Sequence, residues 1–154
     1  MRSTLQRMLT LTIAAGTLAA GVVAPQSAAL AYSGNCGSSS INPKNARTGV
    51  SNYRAFKPVT FHGRRIQIMA GRNHWGQYGW AEMSGRTTAR DRVWMDWRTS
   101  PRQRHRQCGP ERVGRSGARG FTRALPTGGP SVQFRACGDL YVAGKRTHKC
   151  TGWW

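Results

Sequence analysis

Asp91-Arg92-Val93-Trp94-Met95-Asp96-Trp97-Arg98 is the stretch that decides the fold. Val93, Met95 and Trp97 fall on one side of an extended chain and Trp94 and Asp96 on the other, a period of two that belongs to a strand and not to a helix. The pattern recurs outward in both directions. Upstream, Arg65-Ile66-Gln67-Ile68-Met69 alternates after the turn-like His62-Gly63, and Tyr78, Trp80 and Glu82 share a face opposite Ala81 and Met83. Downstream, residues 120–125 group Phe121, Arg123 and Leu125. Val132, Phe134 and Ala136 make another stripe, and residues 140–143 a shorter one. Ser84-Gly85, Ser100-Pro101, Gly109-Pro110, residues 126–130 and Gly144-Lys145 punctuate them as turns. Short strands at roughly ten-residue spacing, with no sustained helical period, predict a mainly β domain: a small antiparallel sandwich or barrel. The Arg-dense residues 101–119 are read as one strand ending at Cys108 and then a flexible loop.

The segments before this pattern are of another kind. Arg2 and Arg7 precede an almost uncharged run over residues 9–24, and Ala29-Leu30-Ala31 supplies a small-residue cleavage signature. The run is interrupted by threonines and glycines and ends at Pro25, short of the ~20 predominantly apolar residues of a spanning helix. Residues 1–31 are therefore expected to be a signal peptide for general secretion, with no stable membrane anchor. Residues 32–52, rich in Ser, Gly, Asn and Pro, read as an extended arm. Residues 53–154 read as a single β-rich domain, since the 123 residues left of 154 suit one core and not two.

All four cysteines, Cys36, Cys108, Cys137 and Cys150, lie beyond the leader. An even count in an exported chain implies two disulfides. Of the three possible connectivities, Cys137–Cys150 across a short hairpin and Cys36–Cys108 between arm and body are preferred. No pair has the C-x-x-C spacing of a zinc or redox site.

Charge points outward from the fold to its partners. The chain carries 24 Lys+Arg against 5 Asp+Glu, and 20 of the 24 are arginine. Without Arg2 and Arg7 the balance is 22 to 5, or +17. Such an excess attracts polyanions such as nucleic acid or acidic wall polymer, although it also serves solubility alone. Arginine adds a planar fork for phosphate or carboxylate and a face that stacks on aromatic rings. The expected polyanion contacts are Arg102, Arg104, Arg106, Arg112, Arg115, Arg119 and Arg123. Of the six tryptophans, Trp80 and Trp97 sit on faces that look buried. Trp75, Tyr78, Trp153 and Trp154 are the candidates for stacking on bases or on the apolar faces of sugars, the bland alternative being a Trp-rich core with Trp153 and Trp154 folded back near Cys150.

Catalysis has weaker support. Glu82 with His74, His105 or His148 and an arginine is the raw material of a small nuclease, but any four histidines and five acids offer such trios. Ion pairing of Asp91 or Asp96 with a cross-strand arginine is the simpler use of scarce acids. No catalytic residue is assigned. No metal-ligand motif, nucleophile elbow or phosphate-binding Gly-loop is present, so neither metal nor cofactor is expected and a small-molecule substrate is disfavoured.

The segments Gly76-Gln77-Tyr78-Gly79-Trp80-Ala81-Glu82-Met83, Asp91-Arg92-Val93-Trp94-Met95-Asp96-Trp97, Phe134-Arg135-Ala136-Cys137-Gly138-Asp139 and Cys150-Thr151-Gly152-Trp153-Trp154 are distinctive. With the Ala-rich leader and paired cysteines, the chain resembles in general build the small secreted proteins of actinobacteria. The secreted subtilisin inhibitors of that group share the four cysteines, but Cys108 is followed by Gly109 where their reactive loop has a cysteine just before a proline. The small guanyl-specific ribonucleases tend to be acidic. The resemblance transfers no functional residue. The sequence thus predicts a secreted, basic, non-enzymatic polyanion-binding protein. An aromatic-platform carbohydrate or wall-binding module, and a small secreted nuclease or toxin-like effector, are the competing expectations.

Overall fold

A computed structural model describes residues 34–45 and 49–154; the expected signal peptide lies outside them. After a 3-10 turn at Gly34–Cys36 come nine strands: β1 Ser51–Phe61, β2 Arg64–Asn73, β3 Gly76–Gly85, β4 Arg92–Arg98, β5 Arg106–Arg112, β6 Gly120–Phe121, β7 Leu125–Pro126, β8 Gln133–Val142 and β9 Lys145–Cys150. They form two antiparallel sheets, one ordered β1-β2-β3 with β6 and β7 both on the far edge of β3, the other ordered β5-β4-β8-β9. No helix of the described residues is long and apolar enough to cross a membrane.

The stretch read first is the inner strand β4, paired with β5 on one side and β8 on the other. Val93 and Met95 point into the space between the sheets. There they meet Ile66, Ile68, Ala81, Met83, Phe134, Ala136 and Leu140, all at most 1% exposed. Burying a side chain such as Phe134 contributes about 1.5–3 kcal/mol. The disulfides pair as expected, Cys36–Cys108 and Cys137–Cys150, over sequence separations of 72 and 13. By loop-closure entropy they stabilise by about 4 and about 3 kcal/mol respectively.

Three local expectations change, and one strand is added that no apolar stripe announced. Residues 120–125 are two short strands, because the chain turns at Thr122, whose hydroxyl accepts the Ala81 N–H at 3.1 Å, and Ala124 pairs instead with Ile41. The stripes at 132–136 and 140–143 are one strand, β8, continuous through Cys137-Gly138-Asp139. β5 does not end at Cys108 but runs on to Arg112. β1, which carries no buried stripe, is a mostly exposed edge strand with two register shifts, where Asn52 and Lys57 take positive φ. Lys57 and Pro58 are residues that keep an edge from pairing with another chain.

Residues 40–45 and 49–50 lie over the outer face of the first sheet. The Cys36 disulfide, the Asn35 side chain bonded to both Gly109 O and Gly109 N, and Arg123 bonded to Ser40 hold them there. Beneath them a second apolar cluster forms from Val50, Met69, Tyr78, Trp80 and Ala124. Both faces of β3 are therefore buried.

One corner joins the two sheets through charge. The Asp91 carboxylate accepts bonds from Arg64 Nε (3.2 Å), Thr88 N (2.8 Å), Thr88 Oγ1 (2.9 Å) and Tyr141 N (2.9 Å). Burial pushes this carboxyl up, but the Tyr141 and Thr88 N–H groups, the Thr88 hydroxyl and Arg64 outweigh it and hold it below its ordinary 3.8. Asp91→Asn is expected to cost about 3–5 kcal/mol in urea unfolding at neutral pH, since it strands Arg64. A lowered folded pKa adds stability above the unfolded value and loses it as pH falls through the folded one. The gap between wild type and Asp91→Asn is therefore expected to close below pH 3.8. A gap constant down to lower pH refutes the charge account.

Gly138 lies tight against side chains of the facing sheet: a Cβ there would meet Met83 Cε at 2.2 Å and Ile66 Cδ1 at 3.1 Å. Gly138→Ala is expected to cost about 1–3 kcal/mol by overpacking. Gly152→Ala, with nothing within 4 Å, is expected to stay within about 0.5 kcal/mol in the same unfolding measurement.

Candidate functional site

All five carboxylates of the chain, Glu82, Asp91, Asp96, Glu111 and Asp139, are at most 4% exposed. An acid buried in a chain this basic draws cations over itself, and the acids lie beneath arginines, lysine or histidine at four of the five positions. Among the described residues the water-facing charge is consequently cationic.

The outer face of the second sheet shows how. Alternation puts Trp94, Asp96 and Arg98 of β4 outward, beside Gln133, Arg135, Cys137 and Asp139 of β8. Asp96 Oδ2 accepts from Arg135, its cross-strand partner, at both Nε (2.9 Å) and Nη2 (2.8 Å), with His105 Nε2 at 3.7 Å. Residues 151–154 then fold back along β8, where Thr151 N–H bonds to Ala136 O and Trp154 and Phe134 exchange backbone bonds. This lays the Trp153 ring against two guanidiniums, Arg98 at 4.1 Å and Arg135 at 4.8 Å, with His105 edge-on at 6.1 Å. Arg98 is further fixed by Gln133 Oε1 (2.9 Å) and Pro101 O (3.0 Å). Two arginines that would otherwise sample many rotamers are thus held in place before any ligand arrives.

A second group lies further along the same face. Asp139 accepts from Arg146 Nη2 at 2.6 Å, and His148 Nδ1 stands 3.6 Å away. The hydrogen bond from Arg146 to Asp139, and then the Asp139 charge, raise the Arg146 guanidinium pKa. The His148 ring tilts against Trp94 at 5.0 Å. Four residues of strand and one strand spacing separate Asp96 from Asp139, roughly 14 Å. The two Asp–His pairs therefore cannot serve one scissile bond as acid and base.

The expected site residues divide accordingly. Arg102, Arg104 and Arg106 are exposed at the Trp153 end of β5, where Arg106 covers Trp97 at 5.4 Å. Arg112 and Arg115 are exposed at the other end, and Arg119 reaches Glu82 at 3.6 Å on the opposite sheet. Two assignments need correction. Arg123 points inward to Ser40, and Tyr78 is buried in the cluster with Ile41 and Val50, so neither faces a ligand. Trp154 packs on Phe56 (4.6 Å) and Phe134, leaving Trp75, 57% exposed at the β2–β3 turn with the His74 ring tilted against it, as the open ring among these candidates. Nor does Glu82 join the histidines: His105 and His148 lie on the outer face of the other sheet, and His74 sits past the far end of β3.

Among the described residues Cys137, His148 and Cys150 come together within 4.8 Å, but the two sulfurs form the disulfide and offer no thiolate to a metal. Arg98, His105 and Arg135, the parts of the site that sequence reading did not assign to it, had one legible signal: Asp96 on an outward strand face, where an acid needs a cation. No family model, curated protein or solved structure matches the chain.

Trp153→Ala is expected to lower stability by about 1–2 kcal/mol, as two guanidinium–ring contacts are lost, and to broaden the Arg98 and Arg135 Nε–Hε resonances. Sharp, unmoved signals contradict the clamp.

Proposed function

We propose that the chain is an exported, non-enzymatic binding protein whose ligand is a polyanion, nucleic acid or acidic wall polymer. The ligand is engaged at the end of the second sheet where Arg98, Arg102, Arg104, Arg106 and Arg135 gather around Trp153 and His105. The observation that carries this reading is the burial of all five acidic side chains: on this face Asp96 is paired with Arg135 and His105, and Arg98, Arg102, Arg104 and Arg106 are in no ion pair among the described residues. Guanidiniums held by Trp153 suit phosphate or carboxylate groups along a polymer. Two disulfides are what export into an oxidising compartment implies.

The test is binding of single-stranded DNA, RNA, an anionic wall polymer and a neutral glycan across a salt series. Affinity for the polyanions is expected to fall linearly in log–log form. Arg102→Ala and Arg104→Ala are each expected to shallow the slope by about 0.7–0.9. Intact nucleic acid after long incubation is expected, and cleavage would overturn the non-enzymatic part. Equal, salt-insensitive binding to the neutral glycan would favour a second reading, sugar stacking on the exposed Trp75; Trp75→Ala would then abolish it.

A further inference from the structure

The outer face of the first sheet holds a different kind of site. The Lys44 ammonium lies 4.6 Å from the ring centre of Tyr53, 5.7 Å from that of Phe121 and 5.9 Å from that of Trp80. The rings come from β1, β6 and β3, and Tyr53 meets Trp80 edge to face at 5.5 Å. The floor is Glu82, whose Oε2 is buried with no hydrogen-bond partner and stands 3.8 Å from the Lys44 nitrogen.

The ring distances lie in the range that any ammonium takes, and the 3.8 Å to Glu82 leaves Oε2 without a hydrogen bond from Lys44. A charge-assisted bond from lysine to carboxylate closes to about 2.7–2.9 Å, and the Lys44 pair stands off by about 1 Å more. A quaternary ammonium has no proton to donate; its methyl groups hold the nitrogen away from a carboxylate while presenting diffuse charge to ring faces. We propose that Tyr53, Trp80, Phe121 and Glu82 form a binding cage for a quaternary ammonium group, closed in this structure by the protein's own Lys44.

Lys44 is well placed to leave. Its side chain is 31% exposed, and the segment bearing it is anchored on either side, by the Ile41–Ala124 bridge and by the Val50 N–H bonded to Pro43 O. Opening the cage therefore needs a side-chain rotation and no unfolding of residues 41–45. Arg119, 67% exposed and 3.6 Å from Glu82 Oε1, stands at the rim. A ligand carrying an anionic group beside its quaternary ammonium, such as phosphocholine, satisfies cage and rim together. The site is independent of the polyanion face, which lies on the other sheet.

Titrating Lys44→Ala with tetramethylammonium and with phosphocholine, following tryptophan fluorescence against a sodium chloride control, tests the cage. A saturable change is expected, with phosphocholine the tighter ligand. Wild type is expected to bind about tenfold or more weakly, because Lys44 competes intramolecularly. Adding Tyr53→Ala, at an exposed position, or the isosteric Glu82→Gln is expected to abolish the response. Phosphatidylcholine vesicles separate the sources: sedimentation with them assigns a lipid headgroup, and binding of the free compound alone assigns a soluble ligand. Lys44→Ala with native near-ultraviolet dichroism and no saturable response overturns the proposal, as does a response that survives both second changes.

Discussion

A single buried carboxylate holds the sandwich at its corner. Asp91 collects bonds from Arg64 at the start of β2, from Thr88 in the β3–β4 connection and from the Tyr141 backbone in β8, while its own carbonyl accepts the Val113 N–H beyond β5. Arg64 returns two more bonds, to His62 O and Tyr141 O. Both sheets are thereby fixed relative to each other at the end opposite Trp153. Without that corner the apolar faces would still attract, but nothing directional would set their angle, because hydrophobic burial carries no orientation.

The same logic governs the rest of the electrostatics. A chain with 24 basic and 5 acidic residues repels itself, and burying its acids would be costly if each were left alone. Four of them are instead seated against cations, so the interior consumes a few positive charges and the remainder faces water. Two disulfides and a core of fully buried aliphatic and aromatic side chains offset the repulsion that results. Stability and the proposed function rest on one arrangement: carboxylates inside, guanidiniums outside.

The two outer faces of the sandwich meet different ends. Residues 40–45 and 49–50 cover the first and turn it into a second core, with Trp80 fully buried and a cage closed by Lys44. Residues 151–154 only clip the margin of the second, leaving arginines ordered on aromatic rings but open to solvent. An exposed sheet face lined by fixed guanidiniums differs from a flexible basic tail in that less conformational entropy remains to be lost when a ligand binds.

By itself the sequence determined the fold class, the inward faces of β2, β4 and β8, and that the four cysteines would pair, while leaving three connectivities of which the structure shows the preferred one. Each of these follows from period-two alternation or from oxidising chemistry, and both are local or nearly so. It also determined that acids would be paired, since five carboxylates among so many arginines have no other inexpensive fate. Only the tertiary structure decided which arginines matter. Arg98 and Arg135 lie 37 residues apart in the chain and meet at Trp153 because β4 and β8 are neighbours and residues 151–154 fold back beside them. Arg123, one of a dense basic run, turned inward because Ser40 arrived from the other end of the described chain. β1 escaped sequence reading for a related reason: an exposed edge strand is defined by the hydrogen bonds of its neighbour and not by any apolar stripe of its own. Alternation is written in consecutive residues; which side chains share a surface depends on strand order and on the path of the segments that cover it.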